Sequence, residues 1–370
     1  YTVASPTTND SLALTGTVDV AEGVTGTVSG ELAGSNGLTK TGLGTLVLGG
    51  ANTFEGNISL NAGKLAFASD SAFGSASNNL VLSVGSVLAP STSLALGADR
   101  DISGGGTIEI GASDTFSVGG NVSLSGGLTL SGAGTLELNG ASNSVGSLVI
   151  NEAAAISGNT LALGGGVTTG AYLGSATISS DLNLGNASRA FALTGDLVLD
   201  GSLSNTSASA YLTKTGSGTL EINADNSGML GGIQLGSQGS VPVDGGQITV
   251  GAAGTLGTAQ TRLNSGTLFF AGSETRTFAN SLSIGGRDNG VSVATLSGAN
   301  AVFNGNNTGF FAATGTTGQL ALDVDNVTTV NGSWAATGGS GLVGGIDLGG
   351  TGTLVINGSA TAVTQTWTLT

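Results

Sequence analysis

Residues 38–50 of the chain read LTKTGLGTLVLGG, and residues 212–224 read LTKTGSGTLEINA. The two segments share their first half, and they contain Lys40 and Lys214, two of the three lysines in the chain. A Gly-Thr pair followed by an apolar residue recurs elsewhere, at residues 106–107, 134–135, 254–255, 266–267 and 352–353. A phrase reused at irregular spacing indicates one structural unit that the chain repeats.

Short segments of alternating apolar and polar residues run along the whole chain. They lie at residues 45–48, 57–60, 63–67, 79–82, 107–110, 121–124, 135–138, 148–150, 181–184, 196–199, 247–250, 266–269, 319–322 and 353–356. Gly, Asn, Ser or Asp separates these segments, and no long stretch has apolar residues at helical spacing. The pattern predicts an all-β protein built from many short strands.

Two all-β architectures fit such a pattern, a sandwich and a solenoid of stacked coils. The repeated phrase favours the solenoid, with Leu, Val or Ile pointing inward and Gly or Asn at the corners. No linker or change of composition interrupts the pattern. We therefore predict that residues 1–370 form one continuous, elongated parallel β-solenoid. Lys40 and Lys214 are expected to project from the entry to a coil and to keep that outer corner hydrated.

The composition excludes several classes of site. The chain has 68 glycines, no cysteine and no histidine, so disulfides, thiolate metal sites, most zinc sites and the usual general base are absent. A net charge of −15 disfavours binding to nucleic acid or anionic lipid. No apolar run approaches the roughly 20 residues of a membrane helix. We expect neither nucleic-acid binding nor membrane insertion of this segment.

Residues 38–65 carry a family resemblance. Leu38 to Leu48, then Ala51 to Gly56, then Ile58 to Leu65 closely resemble the autotransporter-associated β-strand repeat, also called the passenger-associated transport repeat. Residues 211–222 repeat its first half, and residues 132–143 and 350–357 are weaker echoes. The resemblance implies a right-handed parallel β-helix that is exported, after removal of a signal peptide, to the bacterial surface or beyond.

The resemblance also implies a C-terminal membrane barrel, because such a passenger precedes one in autotransporters. The last residues form one alternating strand, so we expect either that the barrel was cleaved or omitted, or that this is a stand-alone secreted protein.

Charged clusters are the candidates for chemistry. Asp323 and Asp325 lie on one side of a predicted strand and could begin a calcium site, although a solvated outer face is the expected reading. Residues 99–101 and 286–290 hold Arg and Asp together, as a β-helix polysaccharide lyase or hydrolase would need, but they read equally well as charged loops. We predict no cofactor and no catalytic residue, and hence a protein that is not an enzyme.

Aromatic residues are rare in this chain, so Phe310, Phe311 and Trp334 are conspicuous. They could form a sugar-stacking platform or an adhesive patch. The expected reading is that they fill a wider part of the core or cap it.

Residues 362–370 alternate to the end of the sequence, with Val363, Gln365, Trp367 and Leu369 on one face. An uncapped solenoid end exposes an unpaired strand edge. We therefore predict an assembly interface formed by this strand and by Tyr1 and Val3.

The predicted function is a non-enzymatic extracellular structural protein, the subunit of a head-to-tail fibre joined by strand addition. Its partners would be copies of itself, with extracellular matrix or glycans as further ligands. The alternatives are a monomeric autotransporter passenger that acts as an adhesin or stalk, and a β-helix polysaccharide lyase or hydrolase.

Overall fold

The computed structural model describes most of the chain. The described residues are 2–3, 12–13, 16–237, 244–285, 292–305, 308–311, 320–332, 334–336, 346–357, 360–361 and 367–369. They belong to two compact units, Tyr1–Leu182 and Asn183–Thr370, which are described separately below.

The first unit consists of three parallel sheets, one on each side of a coil. Sheet 1 contains Thr17–Asp19, Leu38–Thr41, Ile58–Leu60, Leu80–Leu82, Ile102–Gly104, Val122–Leu124, Asn143–Val145 and Leu161–Leu163. Sheet 2 contains Thr2–Val3, Thr25–Val28, Thr45–Leu48, Lys64–Phe67, Val87–Pro90, Gly106–Glu109, Leu128–Ser131, Leu148–Ile150 and Val167–Thr169. Sheet 3 contains Leu94–Leu96, Thr115–Val118, Thr135–Leu138, Ala155–Gly158 and Ser175–Ile178.

The third side is less regular in the first coils. There the two short strands Leu12–Ala13 and Leu32–Ala33 pair in parallel, and a 3-10 turn, Asp70–Phe73, takes the place of a strand. This turn was not predicted from the sequence. It packs Phe73 against Phe67, with ring centroids 4.5 Å apart, so aromatic side chains fill the core where the third sheet has not yet begun.

Each strand pairs with the equivalent strand of the next coil. Leu38 lies opposite Ile58, Ile58 opposite Leu80, and Leu80 opposite Ile102, so one coil takes about 20 residues. All pairings between the described strands are parallel, and the backbone groups of one coil are therefore satisfied by the coils on either side. Such ladders explain how a chain without cysteine can fold.

Alternation along the strands separates the core from the surface. The inward column of sheet 2 consists of Leu46, Leu65, Leu88, Ile108, Leu130 and Ile150, all of them buried. Each such side chain contributes about 1.5 to 3 kcal/mol by leaving water. The outward neighbours are mostly Thr, Ser and Val, which suit a pleated surface.

Glycine is required where one coil turns closely over another. Gly42 has φ +70° and Gly63 has φ +68°, a region that side chains with a Cβ rarely adopt. A Cβ on Gly63 would collide with the carbonyl oxygens of Gly42 and Gly44 in the preceding coil. These corners explain why glycine recurs in the repeated phrase.

An asparagine ladder stiffens the corner that precedes sheet 1. The Asn57 Oδ1 accepts the backbone N–H of Asn79 at 2.9 Å, and the Asn79 Oδ1 accepts that of Asp101 at 2.8 Å. The Asp101 Oδ1 accepts the N–H of Asn121 at 2.7 Å, and Asn121 in turn accepts that of Ser142. Each side chain thus bonds the backbone one coil further on.

The second unit also has three parallel sheets. Sheet 4 contains Arg189–Leu193, Tyr211–Thr215, Gly232–Leu235, Thr261–Leu263, Leu282–Gly285, Thr308–Phe311, Trp334–Ala336 and Ala360–Thr361. Sheet 5 contains Asp196–Leu199, Thr219–Ile222, Gln247–Val250, Gly266–Phe270, Ser292–Gly298, Leu320–Val324, Ile346–Gly349 and Trp367–Leu369. Sheet 6 contains Arg276–Phe278, Ala301–Phe303, Val327–Val330 and Thr353–Ile356. Two further short strands are Leu182–Asn183 and Leu203–Ser204.

The predicted fold class is confirmed, since both units are all-β parallel solenoids, and each predicted segment contains a strand. That the units form one continuous domain stays a prediction. Trp367–Leu369 is a strand that pairs in parallel with Ile346–Gly349. Tyr1, Val363 and Gln365 lie outside the described residues, as do the side chains of Val3, Phe310, Phe311, Trp334, Trp367 and Leu369.

Candidate functional site

The lysine of the first repeated phrase points into the solenoid. In the strand Leu38–Thr41 the burial alternates, so that Leu38 and Lys40 both face inward and both are fully buried. The Lys40 Nζ donates to the carbonyl oxygens of Thr41 and Gly42, each at 2.7 Å, and of Ala62 at 3.1 Å. Because Ala62 belongs to the next coil, the ammonium ties two successive turns together.

The second lysine repeats the arrangement in the other unit. Lys214, in the strand Tyr211–Thr215, is also fully buried. Its Nζ donates to the carbonyl oxygens of Gly216 at 2.6 Å and of Gly245 at 2.8 Å. Gly245 again lies in the turn one coil further on, so both lysines join a turn to its successor.

Burial shifts the acid–base equilibrium of both amines. Desolvation lowers the pKa of Lys40, and Asp19, which accepts a hydrogen bond from the Thr41 hydroxyl at 2.7 Å, partly opposes this effect. Desolvation lowers the pKa of Lys214 to about 8, against the opposing charges of Asp244 and Asp196. In both cases the cost of removing the ammonium from water is the larger effect.

The prediction that Lys40 and Lys214 project outward and keep a corner hydrated is therefore wrong. The carbonyl groups of two stacked turns converge at each site, and an ammonium is a compact donor of three N–H groups that satisfies them. The signal was present in the sequence. In a strand whose Leu38 faces inward, the residue two positions later must also face inward.

Arg100 lies in the cluster at residues 99–101, which could be read either as part of a lyase or hydrolase site or as a charged loop. Its side chain is fully buried. Its Nε donates to the Asp70 Oδ1 at 2.6 Å, its guanidinium donates to the Asn78 carbonyl at 2.6 Å, and it lies 5.5 Å from the centre of the Phe73 ring. A guanidinium forms such forked contacts well, so Arg100 fastens the 3-10 turn to the coil above.

The remaining basic side chains within the described ranges are also engaged. Lys64 pairs with Glu109 at 2.6 Å, and the Arg189 Nε donates to the Leu184 carbonyl at 2.9 Å. The Arg262 guanidinium lies 4.0 Å above the Tyr211 ring, and the Arg276 guanidinium donates to the carbonyls of Gly251 and Gly254. Over the part of the chain that the structure describes, each lysine and arginine therefore holds a structural contact.

The candidate calcium residues lie at the end of one strand. Asp323 is half-buried in Leu320–Val324, and the exposed Asp325 follows that strand and accepts the Thr351 N–H at 3.1 Å. Among the described residues, no group of three or more acidic side chains is placed to hold a metal ion. Calcium binding at Asp323 and Asp325 stays a prediction, and the cluster at residues 286–290 lies outside the described residues.

Two shallow grooves lie on the described surface. One, of about 280 Å³, is lined by Val324, Leu348, Thr353, Leu354 and neighbouring glycines. The other, of about 180 Å³, lies where sheet 1 turns into sheet 2 and is lined by Val84, Thr107, Thr129, Ser147, Val149 and neighbouring glycines. Neither lining contains an ionisable side chain, so neither groove holds the paired carboxylates of a glycoside hydrolase.

The outward face of sheet 1 carries mostly small polar side chains. In sheet 1 one outward column contains Thr17, Thr39, Ser59, Val81, Ser103, Ser123, Ser144 and Ala162. Successive members are one strand spacing apart, about 4.8 Å. The asparagine ladder runs beside this column. Together they present many small hydrogen-bonding groups over a long surface rather than one deep site.

The described part of the chain has no helix with the length and apolar character needed to cross a membrane.

Comparison with known proteins gives a partial match. Three segments, residues 38–67, 128–153 and 212–241, match the passenger-associated-transport-repeat family. A stretch of 81 residues, 22% of this chain, is 48% identical to the adhesin BmaC autotransporter of Brucella suis biovar 1 (strain 1330). That stretch is 2% of the adhesin, so the chain spans a small part of the length of its relative. No solved structure matches the chain significantly.

The matched segments extend the predicted ones. The matches that start at residues 38 and 212 confirm the resemblance expected at 38–65 and 211–222, and the match at 128–153 includes the whole of the weaker echo at 132–143. Leu130 stands in this middle repeat where the other two have Lys40 and Lys214. The chain is therefore a β-solenoid protein that contains three segments matching the passenger-associated-transport-repeat family and resembles an autotransporter adhesin over part of its length.

Proposed function

We propose that the chain is a non-enzymatic segment of a secreted or cell-surface bacterial passenger that acts as an adhesive stalk. The observation that carries the proposal is the regularly spaced column of outward Thr and Ser, with Asn beside it, on a ladder of parallel strands. Parallel backbone ladders supply stiffness. Small hydroxyls and amides at regular spacing offer many weak contacts to glycans or matrix proteins.

The partial likeness to an autotransporter adhesin supports this proposal, since adhesion is the property that the name of that protein states. The contacts of the basic residues also support the proposal, because they speak against a lyase. A lyase needs an Arg or Lys free to remove a proton, whereas the described basic side chains are held by carboxylates, carbonyls or an aromatic ring.

The test is binding by beads coated with the purified chain to immobilised matrix proteins and glycans. We expect retention well above that of albumin-coated beads, and no new reducing ends in the soluble glycans. The paired substitution Ser123→Lys and Ser144→Lys changes sheet 1, and Thr107→Lys with Thr129→Lys changes sheet 2. If sheet 1 is the adhesive face, only the first pair lowers retention, with unchanged circular dichroism. Retention equal to that of albumin would refute the proposal, and release of reducing ends would favour the enzyme instead.

The head-to-tail fibre remains a further proposal. It rests on the alternation in residues 362–370 and on the parallel strand Trp367–Leu369, whose described partner is Ile346–Gly349. Electron microscopy of the purified chain should then show filaments, and a variant that lacks residues 362–370 should show isolated rods with the same circular dichroism. Filaments that persist without these residues would contradict joining through this strand.

A further inference from the structure

The two lysine turns differ in the number of acceptors that they offer. Lys40 has three carbonyl acceptors within 3.1 Å, and an ammonium has three N–H groups. Lys214 has two carbonyl acceptors within the described residues, at 2.6 and 2.8 Å. A neutral amine has two N–H groups. The first site therefore matches a protonated lysine, and the second matches a neutral one.

The turn that Lys214 holds belongs to a longer connection. In the first unit, the tied Ala62 lies between the closely spaced strands Ile58–Leu60 and Lys64–Phe67. In the second unit, the tied Gly245 lies between Gly232–Leu235 and Gln247–Val250, 11 residues apart. Lys214 thus fastens the end of an inserted connection to the coil that precedes it.

Further hydrogen bonds hold that end in place, among them those of Gly246, whose N–H donates to the Asp244 Oδ1 at 2.9 Å and whose carbonyl accepts the Thr267 N–H at 2.8 Å. The Gly216 N–H donates to the Asp244 carbonyl at 2.8 Å, and the Gly245 N–H donates to the Ser265 Oγ at 3.1 Å. Gly246 has φ +58°, and a Cβ there would lie 2.7 Å from the Lys214 Nζ. The amine therefore packs directly against the backbone that it fastens.

Charge and burial act on this amine in opposite directions. Asp244, from the fastened turn, and Asp196, the first residue of Asp196–Leu199, both favour the ammonium. Desolvation opposes them and prevails, as the pKa of about 8 shows. If the two turns separate, the amine reaches water, where an ammonium is well solvated. Protonation therefore favours separation.

We propose that Lys214 is a protonation-dependent fastener: the turns at Gly216 and Gly245 separate more readily when its amine is protonated, and the turns that Lys40 joins show a weaker dependence. At neutral pH the turn at Gly245, which ends the inserted connection, would then open more readily than in alkaline solution. In alkaline solution the turn at Gly245 would be held more firmly.

The test is hydrogen exchange at the Gly216 amide, corrected for its intrinsic rate, between pH 7 and pH 9.5. With a pKa of about 8 when fastened and 10.5 when separated, the opening constant should fall roughly 25-fold over this range. The Asn61 amide, which donates to the Lys40 carbonyl at 3.0 Å, is the matched reporter at the other turn. Its opening should change much less.

The Lys214→Met variant should abolish the pH dependence at Gly216, and Lys40→Met should leave it unchanged. Equal pH dependence in Lys214→Met and the wild type, or none in the wild type, would overturn the proposal.

A direct titration covers the case in which Lys214→Met does not fold. The chain has three lysines, so selective ¹³C labelling of their ε-carbons gives three signals, and Lys64→Arg, at a partly exposed site, removes one of them. One of the two remaining signals should titrate near pH 8. A titration midpoint near pH 10.5 for both signals would also refute the proposal.

Discussion

Replacing Thr261 by valine should stabilise the second unit. Thr261 is buried at an inward position of Thr261–Leu263, opposite Leu282. Gln234 lies opposite Arg262, which places Ile233 in line with Thr261 on the other side. The hydroxyl therefore lies within an aliphatic column, and its Oγ1 has no hydrogen-bond partner among the described residues.

The change in the free energy of unfolding depends mainly on the hydroxyl group, because valine has nearly the same shape as threonine. A buried polar group without a partner costs about 1 to 3 kcal/mol, and the added methyl contributes a further fraction of a buried CH₂. Some relaxation around the threonine reduces the gain. We expect the free energy of unfolding of the second unit to rise by about 1 to 2 kcal/mol, measured from the urea midpoint and slope.

Thr328 is the matched control. It is fully buried as well, but its hydroxyl donates to the Asn326 Oδ1 at 2.7 Å. Thr328→Val removes that bond and leaves a buried amide oxygen with one partner fewer, so it should lower the free energy of unfolding by about 1 kcal/mol. The reasoning is refuted if Thr261→Val destabilises the unit, or if the two variants behave alike.

Three further predictions concern the buried cations. Lys40→Met should lower the free energy of unfolding of the first unit by about 1 to 3 kcal/mol, since three carbonyls lose a charged donor; Leu130→Met is the mild control, and a neutral outcome for Lys40→Met would contradict the assigned bonds. Arg100→Met should cost about 2 to 3 kcal/mol, because Asp70 and the Asn78 carbonyl lose their partner, and Arg100→Lys should recover part of that loss in thermal unfolding. The folded pKa of Lys214 is lower than its unfolded value of 10.5, so the folded state binds fewer protons. The stability of the second unit should therefore rise between pH 8 and 10.5, by at most about 3 kcal/mol, and Lys214→Met should remove this rise.

Much of the fold could be read from local patterns. Alternation in segments such as residues 45–48 and 135–138 predicts strands because side chains in a strand point to opposite faces in turn. Glycine at Gly42 and Gly63 marks corners, because only a residue without a Cβ fits there. These signals need no knowledge of distant residues. They predicted the strands and corners, and the repeated phrase then favoured the solenoid over a sandwich.

The position of each repeat around the coil could not be read in the same way. Leu38–Thr41 begins the first repeat in sheet 1, whereas Leu128–Ser131 begins the middle repeat in sheet 2. Alternation shows only which side chains face the core and which face the solvent. Strands on all three sides of a coil have the same apolar interior and the same solvent-facing exterior, so alternation cannot tell the sides apart. Which side a repeat occupies depends on the lengths of all the corners before it.

The chemistry of the basic residues was equally out of reach of local patterns. Period-two alternation alone could have placed Lys40 inward, but its stability there depends on the Ala62 carbonyl, 22 residues later. Arg100 is neutralised by Asp70, 30 residues earlier. Stacking brings such groups together from neighbouring coils, so the neighbouring coils decide whether a charged side chain lies in water or is hydrogen-bonded inside. The strands and corners, in contrast, are determined by the local sequence.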